Sequence, residues 1–258
     1  MPNEEIIFVA DQAHVPYGPR PLEEVRFFSE QITRFLMGEG ARLIVVACNA
    51  ASAAALHHLR TTFPGFPFVG MEPAIKPAAE TTRTGVVGVL ATPATFQGAL
   101  YASVIERFAG GVRVIQDTCP GLVAQIEAGE LDGRETRAIL EKALLPMLAA
   151  GIDTVVLGCT HYPFVIPLIQ EISGPGVRVI DPAPAVARQA KRVLEERGIN
   201  RTDNMLPQDD AKKIIFYTTG RPEQLSQLLS TQLGEHGHVE SLDWEGGALV
   251  KKMSASEG

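Results

Sequence analysis

Two of the chain's three cysteines stand in the same kind of place. Cys48 closes the apolar run of "GARLIVVACNAAS" (residues 40–52), and Cys159 closes that of "GIDTVVLGCTHYP" (151–163). In each, a glycine-led entry passes into β-branched residues, a cysteine ends them, and small or polar residues open the next element. A lone cysteine at such a point is commonly just a small buried hydrophobe, which is how Cys119 in "DTCPGL" reads. A thiol where a strand hands over to a helix, however, meets backbone N–H groups and the positive end of the helix dipole. These predict a lowered pKa and a thiolate held ready. Two such thiols facing one another across a cleft suit the removal of a proton from one face of a carbon and the return of one to the other. That reaction needs an acid and a base of similar pKa that can exchange roles.

Other residues near these junctions carry two readings each. His161 follows Cys159 by two positions and reads as a proton-relay partner, as a donor to a substrate carboxylate, or as a hydrogen-bonded core histidine. A cysteine-protease reading of Cys-Thr-His is weak, because the base of such enzymes comes from a distant segment. "HVPYGPR" (14–20) places Tyr17 and Gly18 in a turn whose N–H groups can take an anion, or which is an ordinary Pro/Gly turn. "ATPAT" (91–95) offers Thr92 and Thr95 as carboxylate holders at a helix start, or as plain caps. Glu72 in "GMEP" reads as a solvated acid at a helix start, or as support for the site.

The elements that must position these residues alternate in type along the chain. Short Val/Ile/Leu runs predict strands at 4–11, 42–48, 66–71, 85–92, 112–117, 153–159, 177–182 and 213–219. Apolar spacing and Gly or Pro punctuation predict helices at 21–38, 50–62, 73–81, 95–109, 134–150, 163–173, 183–197 and 221–233. This is a βαβ pattern, hence an α/β protein with doubly wound parallel sheet, and ligands in such sheets bind at the carboxyl ends of strands, where both cysteines fall. After about residue 234 the periodicity fades, predicting at most one terminal strand and then a mobile tail.

Composition narrows the function. The chain has 258 residues, 45% of them hydrophobic, which is enough for a sizeable core. A net charge of −7 argues against nucleic acid as a partner. No apolar stretch approaches membrane-span length and the start lacks a signal-peptide pattern, so no membrane association and a cytoplasmic location are expected. Three scattered cysteines with no C-x-x-C pair suggest free thiols in a reducing compartment, with no disulfide framework or zinc site.

Taken together, "ADQAHVPYGPRPLEEV" (10–25), "ACNAASAAAL" (47–56), "VGMEPAIKPA" (69–78), "GVLATPATFQGALY" (88–101), "LGCTHYP" (157–163) and "FYTTG" (216–220) resemble the glutamate racemase family, in order and in spacing, across about residues 3–233. The resemblance implies two α/β domains related by a pseudo-twofold axis with the active site between them. The expected boundaries are 1–91 plus 183–235 for the first, 92–182 for the second and 236–258 for the tail. It implies a cofactor-independent isomerase that interconverts L- and D-glutamate for peptidoglycan, and hence for cell wall and cell shape. Cys48 and Cys159 would be the two catalytic acid/bases, Cys48 acting on D-glutamate and Cys159 on L-glutamate, with His161 beside them. Tyr17, Gly18, Asn49, Ala50, Thr160 and His161 fall on substrate-binding positions. No pyridoxal or metal is expected, since the lysines, such as Lys76, Lys142 and Lys191, accompany no glycine-rich cradle. The expected partners are the small-molecule substrate and at most a second copy of the chain, as a homodimer.

Two departures from the family pattern carry expectations of their own. Where the family has Cys-Asn-Thr, this chain has Cys48-Asn49-Ala50, one hydroxyl fewer, a difference of about 0.5–1.5 kcal/mol for a typical hydrogen bond. The family also begins with a strand ending in Asp-Ser-Gly and a glycine-rich turn, ahead of the counterpart of "PNEEIIFVAD" (2–11). Without that unit "EEIIFVAD" is expected to have an open edge, the domain to be poorly stable or self-associating, and activity to be impaired. In-frame codons for the unit are expected upstream of Met1. Two other functions stay open: a superfamily racemase or decarboxylase acting on aspartate, hydantoins or an arylmalonate, and a non-catalytic binding protein that keeps the fold.

Overall fold

The computed structural model describes residues 4–200 and 214–252. All eight expected strands form: β1 (Ile6–Ala10), β2 (Ile44–Val46), β3 (Phe68–Gly70), β4 (Val86–Ala91), β5 (Arg113–Asp117), β6 (Thr154–Gly158), β7 (Arg178–Ile180) and β8 (Ile214–Thr218). Two more, β9 (Val239–Glu245) and β10 (Ala248–Lys251), lie in the segment expected to be mostly tail. They are an antiparallel hairpin turned at Gly246 and Gly247, both at positive φ as a tight two-residue hairpin turn requires, and β9 adds in parallel to β8. The last six residues of the expected tail, and the first three of the chain, lie outside the described residues.

The helices are α1 (Leu22–Gly38), α2 (Asn49–Thr62), α3 (Ile75–Thr81), α4 (Pro93–Gln97), α5 (Ala99–Phe108), α6 (Leu122–Glu127), α7 (Arg134–Ala149), α8 (Ile166–Ser173), α9 (Ala183–Glu196) and α10 (Pro222–Leu228). The single helix expected at 95–109 is two, because Gly98 takes an extended backbone between α4 and α5. Its missing side chain lets Ala53 of α2 approach, where a Cβ would lie 2.4 Å from the alanine's own. α6 was not expected at all.

Strands β5-β4-β6-β7 make one parallel sheet. Alternate residues of β4 and β6 feed two cores: Leu90, Val155 and Leu157 pack with α6, α7 and α8 residues such as Ile126, Leu144 and Ile169, while Val87, Val89 and Val156 pack with Ile75 of α3 and Val104 of α5. β4 thus belongs to this sheet, its Val-rich run covered by helices on both faces. The remaining strands form two separate pieces, β1-β8-β9-β10 and β2-β3. Among the described residues β1 pairs β8 along one edge and has no partner strand on the other, and β2 is paired to β3 alone. Ile6, Phe8 and Val45 remain substantially exposed there. No helix among the described residues is long and apolar enough to cross a membrane.

Candidate active site

One cavity of about 290 Å³ collects the carboxyl ends of strands from both halves. It is lined by Tyr17 and Gly18 from the loop after β1, by Cys48, Asn49 and Ala50 where β2 enters α2, by Thr92 after β4, and by Cys159, Thr160 and His161 after β6. Nine residues singled out in the sequence therefore meet. Thr95 and Glu72 do not line it. Thr95 is buried behind Thr92, its hydroxyl 3.2 Å from that of Thr92, and so supports a lining residue. Glu72 is exposed as a residue in the turn between β3 and α3, while partial burial of its carboxyl raises its pKa against the pull of Arg107 and Arg60.

Cys48 is the N-cap of α2. Its backbone is extended, and its sulfur accepts a hydrogen bond from the Ala51 amide at 3.5 Å. Ser52, one turn into α2, donates to the Val46 carbonyl and accepts from the Met71 amide, which clamps the helix start to the ends of β2 and β3. The thiol retains some surface toward the cavity but lies deep among protein atoms. Burial pushes its pKa up to about 11, the Ala51 and Ala50 amides opposing this only in part, and negative charge on Cys159 pushing further. The expected lowering at this helix start is thus overturned: desolvation outweighs the amides, and Cys48 rests as a thiol. The neighbouring Asn49 is 2% exposed, and neither its amide nitrogen nor its oxygen has a hydrogen-bond partner. A buried amide left unmatched costs free energy, so this one marks a place built for polar ligand atoms.

Cys159 ends β6, every residue of which is buried. The turn after it is pinned by the fully buried Tyr162, whose amide donates to the Cys159 carbonyl at 3.2 Å. This holds His161 back over the thiol, Nδ1 3.8 Å from Sγ, while Nε2 lies 2.5 Å from Oε1 of Glu127 at the end of α6. Burial works against the imidazolium, but the bonds to Cys159 and Glu127 outweigh it and raise the His161 pKa to about 9. Histidine at neutral pH is then a cation with its proton aimed at the sulfur. Cys119 is buried in the core beneath, as expected, and its burial pushes the thiol well above the ordinary range.

The loop from Asp11 to Arg20 is shaped by side chains. Tyr17 donates to Oδ2 of the buried Asp11 at 2.6 Å, and burial first, then the Asp11 charge, drives the phenol pKa strongly upward, so it remains a donor. Gly18 packs on Thr92 so closely that a Cβ would lie 2.6 Å from the threonine's, and its carbonyl accepts the Ala94 amide at 3.0 Å.

Asp11 and Glu127 were not named from the sequence as site residues. Asp11 could have been found as a lone acid terminating an apolar strand ahead of the Tyr-Gly turn. Glu127 gave no such signal, because it ends a six-residue helix too short for any periodicity to register.

The sequence model of the Asp/Glu/Hydantoin racemase family matches residues 1–190. A glutamate racemase from Roseiflexus sp. is 50% identical over 229 residues, 89% of this chain and 83% of that one. Among solved structures, a glutamate racemase from Bacillus anthracis superposes with a TM-score of 0.82 at 31% identity, over 94% of this chain and 89% of that one. Another, from Francisella tularensis in complex with D-glutamate, gives a TM-score of 0.79 at 28% identity, over 93% and 88%. With its paired strand-end cysteines and its α/β halves meeting at one cavity, the chain belongs to the Asp/Glu/Hydantoin racemase family, among the glutamate racemases.

Proposed function

We propose that the protein interconverts L- and D-glutamate by a two-thiol, cofactor-independent mechanism. The observation that carries this reading is the pair Cys48 and Cys159, brought by different sheets to one cavity that also holds the unmatched amide of Asn49. Asn49, Thr92, the Tyr17–Gly18 loop and the Thr160 region grip the substrate carboxylates and ammonium. One thiol, as thiolate, takes the α-proton, and the other, as thiol, returns a proton to the opposite face. Cys48 at rest carries a proton, so it stands ready to protonate, which fits Cys159 acting as base on L-glutamate. The Glu127–His161 pair holds a proton near Cys159 for the return direction. Ala50 contributes only backbone here.

The proposed setting is the cytoplasm, with D-glutamate passing to peptidoglycan synthesis, and the chain divides into two units with the second beginning near β4. A homodimer is the proposed assembly, to be read by sedimentation.

The test is to incubate the purified protein with L-glutamate in D₂O. The expected result is D-glutamate carrying deuterium at the α-carbon, unaffected by prior dialysis against a chelator. Aspartate, a hydantoin and an arylmalonate, run in parallel, should turn over far more slowly. No α-proton exchange with either glutamate enantiomer would reject the reading, and preference for one of the other substrates would move the protein elsewhere in its family.

A further inference from the structure

We propose that Trp244, on the C-terminal hairpin, is a positioning residue for the Tyr17–Gly18 loop and acts on substrate binding through Asp11. The inference rests on the glutamate reading of the cavity and adds to it a part of the chain that does not line it.

Asp11 is 7% exposed, and its carboxylate is met by four side chains. Tyr17 donates to Oδ2 at 2.6 Å, Thr219 to Oδ1 at 2.8 Å and the indole Nε1 of Trp244 to Oδ1 at 3.0 Å, while Nδ1 of His14 lies 2.9 Å from Oδ2. A carboxyl group buried to this degree needs such partners to replace its lost hydration. Three of the four come from near the loop or from the end of β8 beside it. The fourth arrives from 233 residues away.

The indole also walls the loop. Its ring meets His14 edge-on at 5.1 Å and Phe28 at 5.4 Å, and His14 in turn stacks on Phe28 at 3.8 Å. Between Asp11 and Arg20 the backbone makes two bonds within the loop, the His14 amide to the Asp11 carbonyl and the Arg20 amide to the Tyr17 carbonyl. It is held further by the Thr219 hydroxyl accepting the Ala13 amide, the Arg20 side chain donating to the His14 carbonyl and the Ala94 amide donating to the Gly18 carbonyl. The side chains gathered at Asp11 therefore set where Tyr17 stands and how it approaches Gly18, whose carbonyl the Ala94 amide holds from the other side. The hairpin has an anchor from which to do this, since β9 lies along β8 from Phe216 to Thr218, one residue short of Thr219.

The experiment compares the full-length protein with Trp244→Phe, which keeps a ring and loses the N–H. Glutamate KM is expected to rise about three- to tenfold with kcat within about twofold, the signature of lost substrate positioning with the thiols intact. Amide hydrogen exchange across residues 12–20 is expected to quicken about tenfold while β4 and β6 are unaffected. Combining the change with Tyr17→Phe should raise KM little beyond Tyr17→Phe alone, because both act through one carboxylate. An unchanged KM, or unchanged exchange in residues 12–20, overturns the proposal, including the case in which only thermal stability falls. If the unaltered protein shows no racemisation, the glutamate reading fails by itself, and loop exchange in Trp244→Phe still decides whether Trp244 orders the loop.

Discussion

The two thiols sit in unlike surroundings. Cys159 stands on the continuous sheet β5-β4-β6-β7, at the end of a wholly buried strand, with a titratable chain of His161 and Glu127 behind it. Cys48 ends β2, half of a two-stranded piece whose other edge opens onto the cavity, and among the described residues its hydrogen-bond donors are backbone amides. Two acid/bases that must exchange roles need matched proton affinity, not matched architecture. Here one thiol has charged side chains beside it, and the other has burial and a helix start.

The largest effect should come from removing either thiol. Cys48→Ser and Cys159→Ser should each lower kcat/KM by about 10³-fold or more, since a hydroxyl does not exchange protons in the thiol's range. Enantiomers have equal free energy, so the loss must be the same in both directions. Near-normal turnover in either variant would break the symmetry of roles despite the asymmetry of setting. Circular dichroism should show both variants folded.

The sheets should differ next. Native-state hydrogen exchange is expected to protect the amides of β4 and β6 about 100-fold more than those of β2, because the former are bonded on both sides and covered on both faces. Equal protection would mean that the split sheet is as cooperative as the continuous one.

A smaller change should come with Glu127→Gln, which removes the charge behind His161 and leaves the thiols in place. Here kcat should fall about 10- to 100-fold. The α-deuterium isotope effect should grow more with L-glutamate, whose proton Cys159 takes, than with D-glutamate. An equal rise with both would place Glu127 in service of the whole cavity.

The smallest effect concerns pH. The pKa of His161 is raised from 6.5 to about 9, so the stability its interactions contribute is complete below about pH 6.5 and is lost as pH climbs through about 9. The melting-temperature gap between the unaltered protein and His161→Asn should therefore narrow across that window, by several degrees. A gap that widens with pH would reverse the assigned sign.

Much of this was legible because parallel strands covered on both faces must be apolar throughout. "RLIVVAC" and "DTVVLGC" announce themselves and carry their cysteines to the carboxyl ends where ligands gather. Structure held by tertiary partners escaped. α6 is too short to show a period, so Glu127 was missed with it. The buried residues of β9, Val239 and Leu242, stand three apart and so break strict alternation, and the hairpin's clearest sign, Gly246-Gly247 between two β-capable segments, lay in a stretch read as tail. The Cys48 thiol was misjudged because a helix start is visible in sequence, whereas the depth of protein around it is not. The sheet that β4 joins was not legible, because a strand's pairing partners cannot be read from its own composition.

The contact between Gly18 and Thr92 has a consequence for anyone redesigning the substrate range. A side chain at position 18 would collide first with Cβ of residue 92, an atom that serine, alanine or valine would also carry, so shortening Thr92 short of glycine makes no room. Library positions aimed at a longer or shorter dicarboxylate are better placed at Ala50, a small residue that already lines the cavity. Diversity introduced at 18 would instead pry the loop from the start of α4, where the Ala94 amide now meets the Gly18 carbonyl.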